Sequence, residues 1–107
     1  MANAMRGDAR IVLGGEARGM RLTLGALAEL EDALGAECLA DLVARFEGGG
    51  VRARDLVLLI GAGLRGAGAE ISDDELAGME VGGGAAGAAR AAAVLLSRTF
   101  APLGDGE

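Results

Sequence analysis

Residues 22–35 read LTLGALAELEDALG, and within them one periodicity hands over to another. Just upstream, apolar residues recur at every second position, Met20, Leu22 and Leu24, with Arg21 and Thr23 opposite, the pattern of a half-buried strand. From Leu24 onward the spacing becomes helical, with Leu24, Leu27, Leu30 and Leu34 forming one stripe. The junction therefore falls near Thr23, whose hydroxyl suits the cap of a first turn, and the helix ends at Leu34 before Gly35. Glu29, Glu31 and Asp32 stand mostly off the stripe and toward the helix C-terminus. There the helix dipole disfavours negative charge by a few tenths of a kcal/mol up to about 1. Helix stability does not account for these acids: the plain reading is a solvated face, the sharper one an acidic docking face.

Upstream of the junction, residues 9–24 predict a β-hairpin. Ala9, Ile11 and Leu13 share one face of the first strand, and Gly14 and Gly15 fit the positive φ angles of a tight hairpin turn. A lone hairpin is unstable in water, so its apolar face must pack on the helices that follow.

Downstream, residues 37–46 predict a second helix with Leu39, Leu42, Val43 and Phe46 on one side and an Asp41–Arg45 surface pair. Cys38 reads as a small buried hydrophobe, since the chain has no histidine to activate it. Gly48, Gly49 and Gly50 end that helix but are no phosphate loop, because the chain contains no lysine. Residues 53–65 form the most apolar element, with Leu56, Val57, Leu58, Leu59, Ile60 and Leu64, and a helix apolar on nearly every side belongs at the centre. Gly61 and Gly63 within it cost about 1 kcal/mol each relative to Ala but let a neighbour approach closely. Residues 72–75, Ser-Asp-Asp-Glu, make a capping box preceded by Ile71, which with Leu76 forms a hydrophobic staple. That structural reading outweighs metal binding, because the alternating oxygen ligands of a calcium loop are lacking. After a glycine hinge at 81–84, residues 85–101 form an alanine-rich helix burying Ala88, Ala92, Leu95, Leu96, Thr99 and Phe100, with Arg90 and Arg98 off that face. Pro102 stops it.

The expected fold is mainly α with a small N-terminal β-hairpin (α+β), in which four to five short helices pack around a central apolar helix. A single domain spans 1–107: a flexible start at 1–8, the hairpin at 9–24, a helical body at 24–101 and a flexible tail at 102–107. A chain of 107 residues has room for one modest core. Although 51% of residues are hydrophobic, Ala and Gly dominate, aromatics make up 2%, and 20 glycines add to the entropy lost on folding. Self-association or a partner would help such a core.

The net charge of −6 and the absence of lysine argue against general nucleic-acid binding. One cysteine permits no internal disulfide, and no secretory signal or membrane-spanning run is evident. These features lead to the expectation of a cytoplasmic protein. With no His, Tyr or Trp and no nucleophile beside a base, neither enzymatic activity nor a metal or cofactor is expected. What remains is a binding or assembly role.

Three runs narrow that role: MRLTLGALAELEDALGAECLADLVARF at 20–46, VRARDLVLLIGAGLRGAGAEISDDELAGM at 51–79 and ARAAAVLLSRTF at 89–100. In this order they resemble the small gene transfer agent family of phage tail proteins, with a hairpin, an LTLGALAELE-like helix, an ARDL helix ending in GLRG, an S-D-[DE]-E cap and an alanine-rich last helix. The likeness covers about residues 11–100. It implies a tail assembly chaperone that binds the tape measure protein, possesses no catalytic residue and leaves the finished particle, although the family has also carried a tail-tube label. The tail tube protein is the further partner it implies, and association with assembling tail particles the further location. Candidate contacts are Leu27, Leu30, Glu31 and Leu34 on the first helix and Leu95, Leu96 and Phe100 on the last, each leucine having a core role as its plainer reading. The alternatives are a structural tube subunit, expected to be β-rich, and a small regulatory protein-binding module.

Overall fold

The computed structural model describes residues 8–34, 44–46, 48 and 51–99, with the backbone alone at Asp8 and Leu34. Expectations for 1–7, for Cys38, Asp41 and most of the 37–46 helix, for Gly49 and Gly50, and for 100–107 lie outside the described residues. Strands β1 (Asp8–Leu13) and β2 (Glu16–Arg21) form a two-stranded antiparallel hairpin in which Ala9 faces Met20 and Leu13 faces Glu16. Gly14 and Gly15 occupy the turn with φ of 58° and 87°, the left-handed angles that a two-residue hairpin turn demands. Helices α1 (Leu24–Leu34), α2 (Ala53–Gly66), α3 (Asp73–Ala77) and α4 (Gly84–Thr99) follow, and helical conformation also occurs at 44–46 and at 48. The fold is α+β and mostly helical, as the periodicities predict.

α2 is the central element and touches β2, α1, α3 and α4. Leu59, Ala62 and Leu64 in it are fully buried, alongside Met20, Leu30, Leu95 and the hairpin residues Ile11 and Leu13 in one apolar cluster. Each leucine so buried contributes about 1.5–3 kcal/mol. The close approaches that the α2 glycines permit are specific. A methyl group on Gly63 would stand 2.7 Å from Leu95 Cδ2 and 3.1 Å from Met20 Cβ, one on Gly61 would strike the Asp73 carboxylate, and one on Gly66 would strike the Arg21 carbonyl oxygen. Side chains thus press on positions 61 and 63, and backbone presses on 66.

Local signals mature as expected at two helix starts. The Thr23 hydroxyl accepts from the Ala26 amide at 3.0 Å. Ser72 and Glu75 complete the reciprocal capping box, with the Glu75 amide donating to Ser72 Oγ at 3.1 Å and the Ser72 amide to Glu75 Oε1 at 2.9 Å. The α1 stripe is rotated, however. Ala26 and Leu30 are buried and Leu27 is half-buried, while Leu24 is 85% exposed. The strand-like alternation ends at Leu22, and once the chain bends at Thr23 the first helical residue points off the core. Residues 81–84 are likewise more than a hinge: Val81 bridges Leu13, with the Gly82 amide donating to the Val12 carbonyl and the Gly14 amide to the Glu80 carbonyl, both at 2.9 Å. Positive φ at Gly83 and Gly84 then turns the chain into α4.

Candidate functional site

The sequence-predicted contact residues divide by accessibility. Leu30, Leu95 and Leu96 are buried, at 1%, 0% and 4% exposure, so in the folded chain they hold α1 and α4 against α2 and the hairpin. Leu27 is half-buried and packs on the same cluster, whereas Glu31 is exposed. The Leu34 side chain and Phe100 lie outside the described residues. The exposed residues of α1 are Leu24, Gly25, Ala28, Glu29, Glu31, Asp32 and Ala33, with Leu24 the one large apolar side chain among them.

Glu29 has a different task from its acidic neighbours. Its carboxylate accepts from Arg65 Nη2, while Arg65 Nη1 donates to the Ile71 carbonyl at 2.9 Å and lies 3.1 Å from Asp73 Oδ1. One guanidinium thus ties α1, the C-terminal turn of α2 and the start of α3 together. The hydrogen bond with Glu29, helped by Asp73 and outweighing partial burial, raises the Arg65 pKa above its ordinary value. Nothing at the level of sequence singled out Arg65, whose partners lie 36 and 8 positions away, beyond one helical turn.

A second polar cluster holds the start of α2. Asp55 is buried at 1% exposure. Its Oδ1 accepts from Arg45 Nη1 at 3.1 Å and from Arg52 Nη2 at 3.5 Å, and its Oδ2 accepts from the Arg52 amide at 3.0 Å. Burial pushes the Asp55 pKa up, but the Arg52 amide and guanidinium together with the Arg45 charge overcome it and hold the carboxyl below its ordinary value. The position of Asp55 in the third turn place of α2 is a legible N-terminal signal; its link to Arg45 is not. Both clusters are fully committed to holding elements together, and among the described residues no group of three or more Cys, Asp or Glu is arranged to hold a metal ion. No helix among them is long and apolar enough to cross a membrane.

The profile of a protein family described as "Phage tail tube protein, GTA-gp10" matches residues 6–102. No curated protein and no solved structure matches the chain.

Proposed function

Since the chain belongs to the phage tail tube protein, GTA-gp10 family, we propose that within tail morphogenesis it is a non-catalytic assembly chaperone that engages the tape measure protein. The observation that carries this reading is the balance of secondary structure. Strand pairing among the described residues is confined to one hairpin and one bridge, and the body is helical. A permanent ring-forming subunit needs large, well-packed contacts on opposite sides of the molecule. Among the described residues the exposed large hydrophobics are only Val12, Leu24 and Val94, a supply suited to reversible contact. The accessible α1 face, with exposed Leu24 and the half-buried Leu27 beside Glu31 and Asp32, is the surface assigned to the partner.

Co-expression with a tape measure protein from the same tail gene cluster tests the reading. The expected result is a soluble complex, weakened by Glu31→Lys combined with Leu24→Ser, two exposed changes that leave the circular dichroism of the free chain unaltered. A tape measure protein that stays insoluble and cannot be co-purified would refute it. The tail-tube description of the family favours a second reading, a subunit of the tube itself. Stacked rings of the purified chain in electron micrographs, with the protein retained in finished particles, would establish that reading instead.

A further inference from the structure

The outer edge of β1 is only partly covered. In a hairpin with a two-residue turn, Leu13 and Glu16 exchange hydrogen bonds, so Ile11 with Arg18 and Ala9 with Met20 do so as well. Val12 and Arg10, the residues between, therefore turn their backbone groups away from β2. The Val12 carbonyl is taken by the Gly82 amide at 2.9 Å. Arg10, two residues on, has no backbone partner on that side among the described residues. An open groove of about 330 Å³ runs beside this edge between β1 and α4, lined by Arg10, Val12, Gly87, Arg90, Ala91 and Val94. Val12 and Val94 are 42% and 37% exposed, and neither Arg10 nor Arg90 has an ion-pair partner among the described residues, whereas Arg18, Arg45, Arg52 and Arg65 all do.

We propose that this groove binds an extended acidic segment of a partner protein by strand addition to β1. The free N–H and C=O of Arg10 supply the backbone bonds. Small apolar side chains of the incoming strand then meet Gly87, Ala91 and Val94, while its carboxylates meet Arg10 on the sheet rim and the exposed Arg90 of α4. Charge selects the occupant. On a chain of net charge −6, two uncommitted guanidinium groups beside one edge form a local positive site. A second copy adding its own β1 antiparallel about Arg10 would instead bring like charges face to face, which is destabilising. The inference stands apart from the choice between chaperone and tube subunit, since it uses a different face from α1.

The test is titration of the full chain with a short fluorescein-labelled peptide alternating Glu and Val, read by anisotropy and by amide shifts. The expected outcome is saturable binding with shifts centred on residues 10–12 and 87–94. Arg10→Glu with Arg90→Glu weakens it by about tenfold or more, with unchanged circular dichroism because both residues are exposed. A Lys/Val peptide and a Glu/Val peptide N-methylated at alternate positions both fail to bind. The proposal is overturned if the Glu/Val peptide does not bind, if either control peptide binds equally well, if the shifts fall elsewhere, or if the free chain self-associates so that its own copies protect the Arg10 amide from exchange.

Discussion

Asp55 shows how a buried charge is tolerated in a small core. An isolated carboxylate at 1% exposure would cost several kcal/mol, but two guanidinium groups and one backbone amide converge on it. Asp55→Asn keeps an acceptor for the Arg52 amide and loses the charge, so it should lower unfolding free energy by about 2 kcal/mol at neutral pH, below the 3–5 kcal/mol of a fully broken buried pair. The pH dependence has a definite sign. The folded pKa lies below the ordinary value of 3.8, so the Asp55 contribution is complete above that value and is lost as pH falls through the folded pKa. Urea titrations at neutral pH and near pH 3 should therefore show the gap between parent and variant narrowing in acid; a constant gap would mean that the charge is not what stabilises. Leu24 is the opposite lesson at this scale: its place in two apolar patterns predicts burial, yet it is 85% exposed, because the bend at Thr23 belongs to neither pattern.

Among the elements, α2 sets the positions of the others through what it lacks. Helix propensity favours Ala over Gly by about 1 kcal/mol, so Gly66→Ala would stabilise an isolated helix. In the folded chain the added methyl meets the Arg21 carbonyl oxygen, and backbone yields less readily than a side-chain tip. The variant should be destabilised by about 1–3 kcal/mol, measured by thermal or urea unfolding, and a gain in stability would mean that β2 does not pack on α2 as described. The helix itself was legible from its leucines, as was the α3 capping box, because both signals are local. The rotated face of α1 was not, since Ala26 rather than Leu24 meets the core only after β2 and α2 have fixed the approach. The 81–84 segment reads as a hinge for the same reason: its strand partners are Val12 and Leu13, far away in sequence.

At the scale of the molecule, stability rests on the apolar cluster that, among the described residues, joins the hairpin to α1, α2, α3 and α4. Leu59 lies at its centre with no exposure. Leu59→Asp should abolish cooperative unfolding and leave a chain with little helical circular dichroism, because an unpaired buried charge costs several kcal/mol against a total of 5–15 kcal/mol for a typical domain. A variant as helical and cooperative as the parent would displace α2 from the centre. The local periodicities, turn glycines and caps by themselves determined that a hairpin precedes helices and that the helix at 53–65 is the central one, since each depends on neighbours within one or two turns. Only the tertiary structure decided that Glu29 pairs with Arg65, that Leu30, Leu95 and Leu96 are occupied by the core, and that among the described residues the backbone of Arg10 has no partner on the outer edge of β1 beside α4. Those outcomes depend on which distant segments meet, and that is settled by packing the whole chain around α2.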